Sequence, residues 1–443
     1  MQHIVVVGGG AGGLELVTRL GRALGHRKGK QARARVTLID RHHTHLWKPL
    51  LHEVAAGTLD SGIDEVSYSA HGYKHGFDFK LGRVCDLNRQ TKTLQLSPLY
   101  DEQSQQLILP AREVQYDILV MAVGSVSNDF GIPGIADHCV FLDSPQQAQG
   151  FHRQFLAKAL QLDSRLQTHD RAAETPADRI DVAIVGGGAT GVELSAELIN
   201  ALELLNVYGH RCLKPEHLRI RLIEAGPRLL PALSPRISSA VKTTLEQLGV
   251  EVLLDTPVVR ADANQLVRKE GEPVRADLMV WAAGVKAPEF LSQLDGLENE
   301  RGNQLKVKAT LQTTLDDSVY ALGDCAAFAL GDGRFVPPRA QSAHQMATVV
   351  YGNILRQLEG KALKAFKYQD RGSLVSISRF SAVGTLMGNL TRGSLFVEGR
   401  MARLMYLSLY RLHQLALHGW FRTALLSLSG RINRALRPRL KLH

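Results

Sequence analysis

The stretch VVVGGGAGG occupies residues 5–13, and the stretch AIVGGGATG repeats its pattern at residues 183–191. Each has the spacing G-x-G-x-x-G, follows a β-branched run and precedes a helical pattern. In this arrangement the first glycine makes a tight turn, the second admits a pyrophosphate, and the third allows close packing of helix on strand. The phosphates would then meet the amide groups at a helix N-terminus. Two such loops predict two dinucleotides on one polypeptide, most simply a flavin and a nicotinamide.

The internal repeat continues with an acidic residue at the end of a second strand in each half. RVTLID at 35–40 ends in Asp40, and IRLIE at 220–224 ends in Glu224. A carboxylate at this place accepts hydrogen bonds from a ribose hydroxyl. It also repels the 2′-phosphate of NADPH, so Glu224 predicts a preference for NADH.

A third pair of similar segments is typical of buried strands that end in small residues. These segments are DILVMAVG at 117–124 and DLMVWAAG at 277–284. The backbone there can run close to a nucleotide. A further strand leads into Gly323 and Asp324, whose carboxylate is suited to the ribityl hydroxyls of a flavin. The order predicts an α/β fold with two Rossmann-like domains, the second inserted in the first. The ranges are 1–140 and 300–375 for an FAD-binding domain, 141–299 for an NADH-binding domain, and 376–443 for a C-terminal amphipathic helical region that anchors the protein to a membrane.

Composition excludes several classes of protein. The chain has 443 residues, of which 44% are hydrophobic and 22% charged, as in globular proteins. Its four cysteines lie far apart in sequence, which argues against a disulfide framework, a zinc site, an iron–sulfur cluster and a dithiol reductase. The spacing of the cysteines fits a protein of the reducing cytoplasm. The sequence shows no signal peptide and no apolar run of the roughly 20 residues that a membrane span needs.

The C-terminus concentrates positive charge. From Arg400 onward there are nine Lys or Arg residues and no Asp or Glu, in a chain of net charge +10. Apolar residues recur at helical spacing over 401–416 and 420–432, which predicts helices lying in the interface of an anionic phospholipid bilayer. Packing on a second subunit, as a homodimer, is the alternative. Nucleic-acid binding is disfavoured because no groove-reading or base-stacking motif is present.

In this order of motifs the chain resembles the type II NADH:quinone oxidoreductases, within the flavoproteins that have two dinucleotide-binding domains. The segment HLWKPLLHEVAAG at 45–57 is similar to the family's stretch after the flavin ribose acid. The segment RAQSAHQ at 339–345 is similar to its A-Q-x-A-x-Q quinone-site motif. The resemblance runs essentially from end to end.

The resemblance implies a respiratory enzyme on the cytoplasmic face of the bacterial inner membrane. NADH would deliver a hydride to non-covalent FAD, and two electrons would pass to a membrane quinone without proton pumping. The rival enzyme is a soluble NADH-dependent ferredoxin or rubredoxin reductase of the same fold. A regulatory flavoprotein that senses nucleotides is the alternative outside enzymes, and FMN is a poorer fit than FAD.

Three residues are predicted to be catalytic on the basis of the resemblance. Glu193 would lie in the first turn of a helix that begins near Ala189, close to the nicotinamide and the flavin. Glu197, one turn later, would belong to the same site or be a solvated charge. Gln341 and Gln345 would project from one helix face toward a quinone carbonyl or the flavin, whereas His344 is expected to be structural.

The remaining predictions concern cofactors and metals. The predicted FAD contacts are Gly8, Gly10, Ala11, Gly12, Gly13, Asp40, Arg41, Lys48, Pro49, Ala122, Gly124, Gly323, Asp324, Ala340 and Gln341. The predicted NADH contacts are Gly186, Gly188, Ala189, Thr190, Gly191, Glu193, Glu224, Ala283 and Gly284. No metal is predicted, since the histidine-rich segment 41–45 is interpreted as a solvated loop, and Cys325 as a small buried residue.

Overall fold

The computed structural model describes residues 1–26, 31–101, 104–168, 178–331, 333–378, 381–386, 395–436 and 440–441. Its helices are α1 Ala11–Leu24, α2 Leu51–Ala56, α3 Ser61–Asp64, α4 Tyr68–His75, α5 Ile135–His138, α6 Pro145–Thr168, α7 Ala189–Val207, α8 Pro235–Gln247, α9 Ala340–Leu358, α10 Gly399–His418 and α11 Trp420–Leu436. Short 3₁₀ turns span Lys48–Leu50, Pro215–His217, Glu289–Gln293 and Gly323–Cys325.

The strands are short and spread over the whole chain. They are β1 His3–Val7, β2 Arg35–Asp40, β3 Thr44–His45, β4 Val66–Ser67, β5 Asp78–Leu81, β6 Val84–Asn88, β7 Thr93–Leu96, β8 Leu99–Tyr100, β9 Leu107–Leu109, β10 Arg112–Gln115, β11 Ile118–Met121, β12 Val126–Ser127, β13 Val140–Phe141, β14 Ile180–Val185, β15 Leu218–Ile223, β16 Glu251–Leu253, β17 Val258–Asp262, β18 Gln265–Arg268, β19 Val274–Arg275, β20 Leu278–Trp281, β21 Val285–Lys286, β22 Leu305–Lys306, β23 Val319–Ala321, β24 Ala326–Ala327, β25 Ala329–Gly331, β26 Arg334–Phe335, β27 Gly372–Ile377, β28 Ser381–Leu386 and β29 Leu395–Glu398.

The chain divides into two compact units. The first comprises residues 1–47, 65–126 and 285–369, and the second comprises 48–64, 127–284 and 370–443. The three segments of the first unit fit a domain that the second interrupts, as the order of motifs predicts. The second unit also includes the short segment 48–64, which the order of motifs does not predict. The domain ranges 1–140, 141–299, 300–375 and 376–443 stay a prediction.

The central sheet of the first unit has the order β23-β11-β1-β2-β5, with every pair parallel. Residues Ile4 to Val6 of β1 have no solvent exposure, because parallel strands carry helices on both faces. Helices α1 and α9 pack together in this unit. The carboxyl ends of β1, β2, β11 and β23 therefore form one edge of one sheet, which is where such folds bind nucleotides.

The central sheet of the second unit repeats this plan, with the order β13-β20-β14-β15-β16 and parallel pairing throughout. Helix α7 follows β14 and packs against α2 and β27 within the unit. The predicted α/β fold with two Rossmann-like sheets is confirmed.

The C-terminal part of the second unit contains a three-stranded antiparallel sheet, β27-β28-β29, followed by α10 and α11. The helices were predicted, but the sheet before them was not. Among the residues that the structure describes, no helix is long and apolar enough to cross a membrane.

Candidate functional site

The first glycine loop joins β1 to α1 and leaves no room for side chains at two of its glycines. Gly8 has a φ of +101°, and a Cβ there would lie within 2.8 Å of the backbone at Val123. A Cβ on Gly13 would collide with the Gly8 carbonyl oxygen. By contrast, a Cβ on Gly10, the N-cap of α1, would meet no atom within 4 Å, and no side chain caps the helix. The amides of the helix N-terminus are thus left to a ligand on the open side of the loop.

Asp40 ends β2 beside this loop. Its Oδ2 accepts a hydrogen bond of 2.6 Å from the Gly9 amide, and its Oδ1 accepts one of 2.8 Å from the His42 amide. The carboxylate is thereby fixed next to the glycine turn. Each carboxylate oxygen can accept a further hydrogen bond, so the geometry fits a ribose hydroxyl.

The ends of β11 and β23 bring the predicted flavin residues Gly124, Gly323 and Asp324 to the same unit. Gly124 and Gly323 both have positive φ angles, +71° and +73°. The Ser125 hydroxyl donates a 2.7 Å hydrogen bond to Asp324 Oδ2. A Cβ on Gly12 would lie 2.7 Å from the Leu322 side chain and 3.1 Å from Ala343 on α9, so glycine at this position favours the close packing of α1 on α9.

The quinone-motif glutamines lie near the start of α9. Pro337 and Pro338 precede this helix, which begins at Ala340 as the motif suggests. The amide of Gln345 is fully engaged: its Nε2 donates to the Gln369 carbonyl at 2.8 Å, and its Oε1 accepts from the Gln369 amide at 3.0 Å. His344 contacts Glu15 of α1, which agrees with a structural role. Catalytic roles for Gln341 and Gln345 stay predictions.

The second glycine loop, between β14 and α7, has the same geometry as the first. Gly186 has a φ of +115°, and a Cβ there would lie 2.7 Å from the backbone at Ala282. A Cβ on Gly191 would collide with the Gly186 carbonyl oxygen, whereas one on Gly188 would meet nothing within 4 Å. Glu224 has the position here that Asp40 has beside the first loop. Its Oε2 accepts a hydrogen bond of 2.7 Å from the Gly187 amide, and its Oε1 accepts one of 2.8 Å from the Gly226 amide.

Glu193 of α7 is the centre of a buried cluster of acids in the second unit. Its Oε1 accepts a 3.0 Å hydrogen bond from the Ser376 amide in β27. Its Oε2 lies 3.5 Å from Nδ1 of His52 in α2, whose Nε2 lies 3.9 Å from Glu53 Oε1. Glu197 is also buried and accepts a 3.0 Å hydrogen bond from Asn200.

The surroundings of Glu193 and His52 favour the neutral forms of these two side chains near pH 7. Burial, reinforced by the negative charges of Glu53 and Glu197, raises the pKa of Glu193 to about 8, although the Ser376 amide opposes the shift. Burial also lowers the pKa of His52 to about 4, against the attraction of Glu197 and a hydrogen bond with the Pro49 backbone. Glu193 is therefore a carboxylic acid with a proton to give, beside a neutral imidazole.

Two predictions about α7 were wrong in part. Glu193 is the fifth residue of the helix and lies in its second turn, because the helix begins at Ala189 as predicted. Its carboxyl group contacts α2 and β27 rather than the helix N-terminus. Glu197 is only 6% exposed, so the alternative of a solvated charge is also wrong.

One prediction about the segment after Asp40 is corrected as well. His45 is buried rather than solvated, since Thr44 and His45 form β3 and pair with β4. The Nζ of Lys48 forms a 3.0 Å ion pair with Asp143 in the second unit, and its contact with FAD stays a prediction. Arg41 is exposed and contacts His42. Within the described residues, no cluster of three or more His, Cys, Asp or Glu side chains could hold a metal ion.

His52 is the residue of this site that sequence reasoning missed. It lies inside the quoted segment 45–57, but its partner Glu193 is distant in sequence. The sequence offers one signal: His52 and Glu53 are titratable residues in the segment LHEVAA at 51–56, whose other residues are apolar.

Comparison with known proteins agrees with this geometry. Residues 2–347 match the family model of pyridine nucleotide-disulphide oxidoreductases. A type II NADH:quinone oxidoreductase of Haemophilus influenzae is 49% identical over 449 aligned residues, covering 100% of both chains. The chain belongs to the type II NADH:quinone oxidoreductases. The enzyme class predicted from the sequence is confirmed.

More distant relatives agree in sequence and in fold. The type II NADH:quinone oxidoreductase of Staphylococcus aureus is 29% identical over 88% of this chain and 91% of its own length. The structure of NDH2 from Plasmodium falciparum in complex with NADH superposes with a TM-score of 0.79 at 19% identity, covering 99% of this chain and all of the other.

Proposed function

We propose that this enzyme takes a hydride from NADH onto FAD and passes two electrons to a membrane quinone, without pumping protons. The observation that carries the proposal is the pair of equivalent glycine loops on equivalent parallel sheets, each with its own strand-end carboxylate. One chain thereby offers two dinucleotide sites, the minimum for a flavin and a nicotinamide together.

The first unit is the proposed FAD site. The α1 N-terminus would hold the pyrophosphate, Asp40 the adenosine ribose, and Asp324 the ribityl chain. Bound FAD supplies a ring that accepts a hydride and releases electrons to an acceptor. The protein's contribution is to bind and orient it. The missing side chain of Gly10, where a Cβ would meet no protein atom within 4 Å, leaves the open side of the loop to the pyrophosphate, while Gly8 and Gly13 permit the tight turn.

The second unit is the proposed NADH site. The α7 N-terminus would hold the pyrophosphate, and Glu224 the ribose hydroxyls. Because Glu224 is held by two backbone amides, its negative charge is fixed where a 2′-phosphate would lie. This supports selection of NADH over NADPH.

Glu193 is the proposed source of the proton that quinone needs. NADH, quinone and one proton give NAD⁺ and quinol, so a proton must come from the medium for each turnover. A carboxylic acid that stays protonated at neutral pH, as the raised pKa of Glu193 indicates, can form the O–H bond of the quinol and be reprotonated afterwards.

Helix α11 supports attachment to the cytoplasmic face of the bacterial inner membrane as a peripheral protein. Its large apolar side chains repeat at helical spacing and are half exposed or more: Trp420, Phe421, Leu425, Leu428, Ile432 and Leu436. Arg422 is exposed on the same helix. An apolar stripe with nearby positive charge suits an anionic bilayer surface. The side chains of 401–407 and 409, which the sequence also assigned to the apolar face, lie outside the described ones.

The enzymatic proposal is tested by NADH oxidation with detergent-purified protein, with and without a short-chain quinone. We expect NADH to bleach the yellow protein and quinone to restore the colour with steady turnover. A protein that NADH bleaches but that only a ferredoxin or rubredoxin reoxidises would overturn the quinone assignment.

The membrane proposal is tested by flotation with vesicles of anionic and of neutral lipid. Replacing Leu425 and Leu428 by Glu should abolish binding to anionic vesicles, while replacing the exposed Leu107 and Ile108 of the first unit by Glu should not. Equal binding of both variants would contradict the assignment. A dimer that dissociates in the α11 variant, with vesicle binding unchanged, would make α11 a subunit contact instead.

A further inference from the structure

The imidazole of His52 lies between two carboxyl groups of different exposure. Its Nδ1 is 3.5 Å from Oε2 of Glu193, and its Nε2 is 3.9 Å from Oε1 of Glu53. The Glu193 side chain is 8% exposed, whereas that of Glu53 is 27% exposed. The two ring nitrogens therefore face an inner acid and an outer acid.

Fixed backbone holds this line of groups in place. The Ser376 amide binds the other oxygen of Glu193, so the oxygen facing His52 is the remaining one. His52 and Glu53 are neighbours on α2, which packs against α7 and α6. Both separations exceed a normal hydrogen bond, as is common for catalytic contacts before substrate binds.

Acidic side chains face the imidazole from two helices. Helix α2 contributes Glu53, and α7 contributes Glu193 and Glu197, while the Ser376 amide of β27 binds Glu193. His152 of α6 lies beside Gly57 at the far end of α2. Burial leaves His52 with a lowered pKa and Glu193 with a raised one, so each is neutral near pH 7. A neutral imidazole has one nitrogen that donates and one that accepts, which is the state needed to pass a proton.

We propose that His52 relays protons from the solvent-facing Glu53 to the buried Glu193. This inference rests on the proposed function, in which Glu193 protonates the quinone. When Glu193 has given its proton to a quinone oxygen, its carboxylate takes the Nδ1 proton of His52. The carboxylate of Glu53 takes a proton from water and passes it to Nε2 of the same ring.

The proton count closes. The Nδ1–H bond breaks, the Glu193 O–H and Nε2–H bonds form, and the one proton that enters from the medium passes through Glu53 to Nε2 for each quinone reduced. The ring is left protonated at Nε2, and exchange of its protons with water between turnovers restores the Nδ1–H tautomer. His52 is thus a positioning and relay residue that acts through Glu193.

The kinetic test separates the two half-reactions in anaerobic stopped flow. Bleaching by NADH needs no proton from the medium, whereas reoxidation by a short-chain quinone does. We expect His52→Gln, which keeps polar atoms but cannot relay, to slow reoxidation at pH 8 by about 100-fold, with bleaching changed little. Added imidazole should restore part of the rate, and Glu53→Gln should slow reoxidation by about tenfold.

Matched variants exclude a general effect of losing a buried histidine or a glutamate. His217→Gln removes another buried histidine of the second unit, and Glu246→Gln removes an acid on α8. Both should reoxidise as the wild type does. Unchanged reoxidation in both His52→Gln and Glu53→Gln, in a protein that is still reoxidised by quinone, would overturn the relay. Wild-type protein that quinone fails to reoxidise would overturn the proposed function instead.

A second readout needs no turnover. The carbonyl stretching band of the Glu193 carboxylic acid, assigned by its loss in Glu193→Gln, is titrated by infrared spectroscopy in the resting holoenzyme. We expect His52→Gln to change the apparent pKa of this band and to slow its exchange in D₂O, while His217→Gln changes neither. A band that titrates and exchanges identically in both variants contradicts the relay.

Discussion

Glu15 and Glu193 occupy the same place in the two repeats, two residues after the last glycine of each loop, yet they have opposite surroundings. Glu15 contacts Arg19 at 3.4 Å and also His344 of α9. Glu193 contacts a backbone amide and a histidine whose pKa is lowered by burial. Both side chains are less than a tenth exposed. The first acid is paired with a permanent cation, and the second is not.

The comparison shows how one sequence pattern serves two purposes. Beside a guanidinium a buried carboxylate is stabilised as the anion and ties helices together. Without a guanidinium beside it, a buried carboxyl group favours its protonated form, which can donate a proton. Both repeats carry this glutamate, and burial without a cationic partner is what raises the pKa of Glu193 to about 8.

The largest effect should come from neutralising the two acids in turn. We expect Glu193→Gln to lower quinone-dependent kcat by about 100-fold, because the proton donor is lost. Glu15→Gln should leave kcat near the wild-type value and cost ~1 kcal/mol of stability through the weakened Arg19 contact. Steady-state assays and thermal unfolding measure both. Similar losses of kcat in the two variants would remove the distinction.

The next effect concerns the loops themselves. Gly13→Ala places a Cβ against the Gly8 carbonyl oxygen, and Gly191→Ala does the same at Gly186. We expect Gly13→Ala to purify without flavin absorbance, whereas Gly191→Ala stays yellow with KM for NADH raised by about tenfold or more. Flavin content per chain and NADH titration provide the readouts. Flavin loss in Gly191→Ala alone would exchange the two assignments.

The pKa of Glu193 also predicts how stability depends on pH. The folded state keeps this proton up to a pKa of about 8, while the unfolded state releases it near 4.5, so stability falls as pH rises between these values. His52, with its pKa lowered to about 4, acts in the opposite sense and only below 6.5. From pH 6.5 to 8, Glu193→Gln should therefore lose less stability than wild type. Glu15→Gln is the matched control, and parallel curves for all three proteins would refute the raised pKa.

The smallest effect concerns the strand-end acids. Glu224→Gln removes the charge that opposes a 2′-phosphate, so kcat/KM for NADPH relative to NADH should rise by about tenfold, or ~1.4 kcal/mol. Asp40→Asn, its counterpart in the first repeat, should leave that ratio unchanged. A ratio that moves in Asp40→Asn and not in Glu224→Gln would place the nicotinamide dinucleotide in the first unit.

Local sequence patterns predicted the features that depend on local geometry. The two glycine turns, the starts of α1 and α7, and the acids at the ends of β2 and β15 follow from residue type and spacing, since only glycine fits at Gly8 and Gly186. The second sheet and its insertion followed from the repeat. The resemblance to a family then supplied the enzyme class.

Features that depend on contacts between residues distant in sequence could not be predicted from local patterns. Part of the difference between Glu15 and Glu193 is local, since Arg19 stands four residues after Glu15 and Glu197 four residues after Glu193. The contacts that α9 makes in one unit and α2 and β27 make in the other have no such local signal. The hydrogen bonds between Gln345 and the Gln369 backbone could not be predicted either, because Gln369 lies in an irregular segment that has no helical or strand periodicity. The position of Glu193 in the helix was misjudged by one turn, which changed its partner from a helix terminus to His52.

The most direct test is anaerobic stopped flow on wild-type, Glu15→Gln and Glu193→Gln proteins, each reduced by NADH and then mixed with a short-chain quinone. We predict that all three bleach at similar rates and that only Glu193→Gln is reoxidised slowly, more so at pH 8 than at pH 6. Reoxidation of Glu193→Gln at the wild-type rate would contradict the claim that the uncompensated acid of the second repeat protonates the quinone.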